Sequence, residues 1–217
     1  MGCSRFLAGA LVLWASLGCR GAESREERGA ELYGYCEQCH GASGEGNFEF
    51  RAPAIAGLPQ WYVEAQLEKF RIGARGDHPD DVDGLRMRPM SRTLATRLEV
   101  ELVSEHVASL PPVAPDNHLE PGDAEVGRQL FTPCVQCHGE DAGGKREQNA
   151  PPLRGHADWY IVAQLEKFKA GVRGTDPLDA TGSQMRAMSM TIATEQAMRD
   201  VAAYIQTRQP AREQESE

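Results

Sequence analysis

The chain reads as an all-α protein: two small helical domains in tandem, each wrapped around one covalently attached group. Three observations predict this. A shift of 98 residues lays one half on the other without a gap, and apolar residues recur at helical spacing in three segments of each half. The pentapeptide Cys-x-x-Cys-His also stands once in each half, as Cys36-Glu37-Gln38-Cys39-His40 and Cys134-Val135-Gln136-Cys137-His138. A length of 217 residues suits two domains of about 100 each.

The repeat is extensive. Gly29, Leu32 and Tyr33 fall on Gly127, Leu130 and Phe131, and Trp61-Tyr62 falls on Trp159-Tyr160. Gln66-Leu67-Glu68-Lys69-Phe70 recurs as Gln164-Leu165-Glu166-Lys167-Phe168, and Gly73, Arg75 and Gly76 recur as Gly171, Arg173 and Gly174. Met87 and Met90 recur as Met185 and Met188. A repeat of this length is a duplicated domain rather than a solenoid unit. The domains are assigned to 19–110 and 123–208. Between them, 111–122 opens with Pro111-Pro112-Val113-Ala114-Pro115, a stiff and partly extended linker, and the polar tail 209–217 reads as disordered.

Each copy should contain three helices: about 26–36, 60–72 and 96–110 in the first, and 124–134, 158–170 and 194–207 in the second. Thr96 and Thr194 stand at N-cap positions, and Glu99 follows Thr96 at capping-box spacing. The intervening segments are rich in glycine and proline and show no alternating pattern, as befits loops that wrap a cofactor.

At the N-terminus, Arg5, the apolar run from Phe6 to Leu17 and small residues ahead of Cys19 read as a signal peptide over 1–18. The run is too short for a membrane span, which takes about 20 apolar residues. Ala15-Ser16-Leu17-Gly18-Cys19 resembles a bacterial lipoprotein box, which would place a lipid on Cys19; cleavage near Ala22 is the alternative.

The pentapeptides carry the chemistry. Two thiols at this spacing can form thioethers with the two vinyl groups of one porphyrin, and the adjoining histidine can ligate its iron. Zinc ribbons space their cysteine pairs about 15–20 residues apart, and a redox dithiol has no need of the trailing histidine in both copies. Cys36, Cys39, Cys134 and Cys137 are therefore assigned to two haem c groups, with His40 and His138 as proximal iron ligands. Residues 20–115 and 116–217 each hold 11 basic and 16 acidic residues, so no basic stripe marks the chain as a nucleic-acid binder.

For the other axial position methionine leads. Met87 lies 47 residues after His40 and Met185 lies 47 after His138, whereas His78, His106, His118 and His156 have no histidine at the equivalent place. Thioether sulfur suits haem iron and raises its potential relative to a second imidazole. Met90 and Met188 repeat equally well, so the pattern alone leaves two candidates per domain.

Taken together, the haem motifs, the Gln-Leu-x-x-Phe segments and the Met-x-x-Met segments resemble the dihaem cytochrome c4 family, tandem class I c-type cytochromes of bacteria that carry electrons. The similarity runs from about Gly29 to Leu110 and from Gly127 to Thr207. It implies that the first methionine of each pair, Met87 and Met185, ligates iron. It also implies that the carbonyls of Pro53 and Pro151, in Pro53-Ala54-Ile55-Ala56-Gly57 and Pro151-Pro152-Leu153-Arg154-Gly155, accept a hydrogen bond from the proximal histidines. Arg75 and Arg173 are candidates to pair with haem propionates, the alternative being solvated residues after a helix end. One departure is His106 where the other copy has Tyr204, which puts the first domain's terminal-helix packing in question.

The function that follows is outer-sphere electron transfer in the bacterial periplasm or at its membrane surface, with no substrate bound at iron. The resemblance names a terminal oxidase as acceptor, and a quinol-oxidising complex or periplasmic dehydrogenase as donor. The competing readings are a dihaem peroxidase-like enzyme and a cytochrome subunit of a larger oxidoreductase.

Overall fold

The computed structural model describes residues 24–209. The apolar run, Cys19, Ala22 and nearly all of the polar tail lie outside them. Among the described residues are nine α-helices, two short 3₁₀ turns and no strands beyond two isolated bridges. In the first domain α1 covers Arg25–His40, α2 Gln60–Ile72, α3 Val82–Arg92 and α4 Arg97–Ser109. In the second, α5 covers Ala124–Leu130, α6 Val135–His138, α7 Asp158–Lys169, α8 Ala180–Ser189 and α9 Glu195–Gln206. No described helix is long and apolar enough to cross a membrane.

Local chemistry sets the helix ends. Ser24 and Glu27 close a capping box on α1, and Thr96 and Glu99 close another on α4. Thr194 caps α9 by accepting from the Ala197 amide at 3.1 Å. Terminal helices cross and bury the two cores. Leu32 and Tyr33 pack with Val100, Val103 and Val107 in the first domain, and Phe131 packs with Val201, Tyr204 and Ile205 in the second. Gly29 and Gly127 sit at these crossings, where a Cβ would lie 2.7 Å from the Leu102 carbonyl oxygen and 1.8 Å from that of Asp200 respectively. His106 does take the place of Tyr204: its ring centroid is 5.0 Å from that of Tyr33, against 5.2 Å between Phe131 and Tyr204.

Two of the expectations need correction. Each domain has a further helix, α3 or α8, in what read as loop. The second copy's first helix is also broken, because Pro133 stands where Tyr35 does. Proline has no amide hydrogen to donate and its ring clashes with the preceding turn, so Thr132–Cys134 tightens to 3₁₀ and the motif resumes in α6.

Residues 111–122 form neither helix nor strand, and the segment is pinned. Asp158 accepts from the His118 and Leu119 amides at 3.0 and 3.1 Å, and its own amide donates to the Asn117 side chain at 2.9 Å. The His118 ring stacks on Phe48 of the first domain at 3.9 Å.

Replacing Gly127 with alanine should destabilise the second domain by about 1–3 kcal/mol, the usual cost of overpacking. Gly29→Ala should cost less, because its nearest obstacle is farther away. Thermal unfolding of the two variants against the parent protein checks the order.

Candidate haem-binding sites

Each pentapeptide ends a helix, and this places its histidine inside the domain. His40 closes α1 and His138 closes α6, both buried, and Gly41 and Gly139 turn the chain away with positive φ. The returning loop brings the Pro53 carbonyl oxygen to 2.8 Å from His40 Nδ1, and the Pro151 carbonyl oxygen to 2.9 Å from His138 Nδ1. A carbonyl can only accept, so Nδ1 carries the proton and Nε2 presents its lone pair. Burial holds both imidazoles below their ordinary pKa, partly offset by the carbonyl bond, so each stays neutral. The loop can approach this closely because Gly46 and Gly144 have no side chain. A Cβ on Gly46 would lie 2.5 Å from the Ala54 amide, and one on Gly144 would lie 2.5 Å from the Pro151 carbonyl carbon.

The four motif cysteines form no disulfide. Burial, with the partner sulfur adding to it, pushes the Cys36 and Cys134 thiols up to about 11 ahead of haem attachment. In the first domain Cys36, Cys39, His40, Met87 and Met90 line one apolar cavity. Met87 packs against the core cluster, whereas Met90 is 41% exposed. The second copy repeats the difference, with Met185 half-buried and Met188 exposed. At the mouth of the first cavity Tyr35 and Phe50 are exposed, where the second copy has Pro133 and Gln148.

Arg75 and Arg173 follow helix ends but are not solvated; both are buried where the domains meet. Arg75 Nη1 donates to Gln66 of its own domain at 2.7 Å, and its Nη2 donates to the Tyr160 hydroxyl at 3.1 Å and to Gln164 at 3.2 Å across the interface. Arg173 mirrors this, donating to Gln164 at 2.7 Å and to Gln66 at 3.0 Å. Each guanidinium stacks on a ring of its own domain, Phe70 or Phe168, at 4.5 Å. The Nε of each is buried with no hydrogen-bond partner in the protein.

These observations fit haem. There is a neutral imidazole with a free Nε2, a pair of thiols on the same helix end, an apolar cavity, and two buried cations that each retain one unmet donor suited to a carboxylate. His156, also on the first cavity, is buried against Tyr160. Burial and the two guanidiniums hold its pKa down to about 4. Leu58 occupies the equivalent place in the first copy.

Sequence reasoning passed over Lys69, Lys167, Asp81 and Asp179. The lysines lie inside the repeated Gln-Leu-Glu-Lys-Phe segment, and that exact polar repetition was the available signal. Lys69 Nζ lies 2.6 Å from Asp179, and Lys167 Nζ lies 2.7 Å from Asp81 and 2.8 Å from Asp83.

Tandem all-helical domains, each with a Cys-x-x-Cys-His motif and an anchored histidine, define a dihaem c-type cytochrome. The chain belongs to the cytochrome c family: the model described as Cytochrome c matches residues 26–111 and again 124–209. It is 34% identical over 171 residues to the thiosulfate dehydrogenase electron acceptor of Thiomonas intermedia, covering 75% of each chain. Among solved structures, cytochrome c4 of Acidithiobacillus ferrooxidans matches with a TM-score of 0.66 at 26% identity, over 81% of this chain and 99% of that one. A thiosulfate dehydrogenase of Marichromatium purpuratum matches with a TM-score of 0.68 at 30% identity, over 83% of this chain and 40% of that one. The chain carries two covalently bound haem c groups and transfers electrons.

The double variant Cys36→Ser/Cys39→Ser should keep a single haem, read as the loss of one haem mass from the intact holoprotein and a halved pyridine haemochrome signal.

Proposed function

We propose that this cytochrome is a carrier with no substrate of its own, built on two closed centres of the same kind. His40 and Met87 ligate one iron, and His138 and Met185 ligate the other. The observation that carries this is the half-buried methionine of each pair, in the same register in both copies and accompanied by a more exposed companion three residues on. Haem supplies one-electron redox chemistry. The chain supplies two thioether anchors per group, an imidazole held by a carbonyl, a thioether sulfur and an apolar cavity wall. Arg75 and Arg173 neutralise the propionates through their unmet Nε donors, which draws both groups toward the domain boundary and makes an internal relay between the two centres.

A periplasmic dehydrogenase is the proposed donor, supported by the similarity to a thiosulfate dehydrogenase electron acceptor. The proposed acceptor is a terminal oxidase, supported by the resemblance to the cytochrome c4 family. The N-terminal sequence supports export and a lipid on Cys19. A single lipid chain binds membranes only marginally, so attachment would need the further hold that docking on a membrane partner provides.

Met87→Ala and Met185→Ala should each remove one haem's share of the methionine-to-iron charge-transfer signal in near-infrared magnetic circular dichroism, and should lower that haem's potential. Met90→Ala and Met188→Ala should leave the signal whole. A parent protein showing the signal for one haem only, with the other high-spin and reactive toward peroxide, would replace the carrier by the peroxidase reading. Intact mass of protein from membranes should show a diacylglycerol-sized addition that Cys19→Ser abolishes.

A further inference from the structure

The helices that carry the methionines are short and would be marginal in isolation. α3 spans 11 residues with Gly84 and Pro89 inside it, and α8 spans 10 with Gly182 inside it. Each is started by an aspartate. Asp81 Oδ1 accepts from the Gly84 amide at 3.0 Å, and Asp179 Oδ1 accepts from the Gly182 amide at 2.8 Å. Both carboxylates are almost wholly buried, the side chains being 3% and 0% exposed. A buried carboxylate persists as the anion only when a cation and hydrogen bonds replace the water it has lost. Here the cation comes from the other domain. Lys167 of α7 reaches Asp81 at 2.7 Å and Asp83 at 2.8 Å. Lys69 of α2 reaches Asp179 at 2.6 Å and the Thr181 hydroxyl at 2.5 Å.

We propose that Lys167 and Lys69 are positioning residues that act in trans: each lysine secures the cap of the helix that presents the other domain's methionine ligand. Met87 stands six residues after Asp81, and Met185 six residues after Asp179, so a fraying first turn would be felt at the sulfur within two helical turns. Lys167 also lines the first cavity, where its Nζ is held by Asp81 and Asp83, so the Met87 methyl signal, which reports the methionine itself, is the deciding readout there. The consequence is a crossed dependence, in which the second domain sets how firmly the first iron holds its methionine, and the first domain does the same for the second iron. The proposal rests on Met87 and Met185 being the ligands.

The test uses full-length ferric holoprotein with exogenous imidazole, which displaces a weakly held methionine, and follows the ε-methyl proton signals of iron-bound methionine in the ferrous form. Met87→Ala and Met185→Ala assign one methyl signal to each haem. Lys167→Met should then raise the imidazole affinity of the first-domain haem about tenfold and broaden or shift the Met87 methyl signal, with the Met185 site unchanged. Lys69→Met should do the converse. If either variant fails to fold, Lys167→Gln and Lys69→Gln keep a donor and should show the same crossed pattern at smaller amplitude. No change at either site, a change at the lysine's own domain, or equal loosening of both sites would overturn the proposal. Survival of both methyl signals in Met87→Ala or Met185→Ala would instead overturn the ligand assignment, and the trans effect with it.

Discussion

The bond from the proximal imidazole to a proline carbonyl is the constraint around which each domain is arranged. It ties the end of the motif helix to a loop 13 residues further on. It also fixes the tautomer and leaves one nitrogen for iron. To make it, the chain must reverse immediately after the histidine and return almost in van der Waals contact with itself, which accounts for the glycines at 41 and 46 and their counterparts at 139 and 144. The proline then delivers the chain toward the second helix. Histidine, glycines and proline thus act as one unit, and the Cys-x-x-Cys-His signature is its most conspicuous part.

Much of this was legible in the sequence because duplication acts as an internal control. A residue that recurs after 98 positions has withstood independent drift, so the haem motifs, the methionines, the helix caps and the arginines stood out. What escaped notice did so for physical reasons. α3 holds Gly84 and Pro89 and α8 holds Gly182, residues that read as loop; the helices exist because an aspartate caps them and a neighbouring loop glycine, Gly76 or Gly174, lets their first turn pack tightly. The break before α6 follows from Pro133, a local rule that the match between the copies concealed. That the arginines lie at the domain boundary was not legible, because sequence gives no view of that boundary; their glutamine and tyrosine partners come from both domains at once.

The two copies have also diverged where their surroundings differ. Phe48 and Arg51 of the first domain lie against Trp159 and the linker's His118, a cluster with aromatic stacking and a guanidinium 4.9 Å from the indole. His156 replaces the aliphatic residue of the first copy and is kept neutral beside two cations. Tyr35 and Phe50 give the first cavity an apolar rim, and the second copy has Pro133 and Gln148 at those positions. The two centres therefore share their inner residues and differ in their outer surroundings, and a pair of chemically identical sites can in this way acquire different potentials and different partners.

The boundary between the domains has a further consequence. Lys69 meets Asp179 as Lys167 meets Asp81, and Arg75 meets Gln164 as Arg173 meets Gln66, so each of these four contacts is answered by its own image. That is the isologous arrangement of a two-fold dimer, written within one polypeptide. A lone domain bearing this face would be complementary to a second copy of itself, with association governed by concentration. Fusion through a short tether replaces that bimolecular step by a local concentration in the millimolar range, and the pair stays assembled however dilute the protein becomes. It also frees each half from having to match a sibling encoded by the same sequence, the condition under which two halves can specialise.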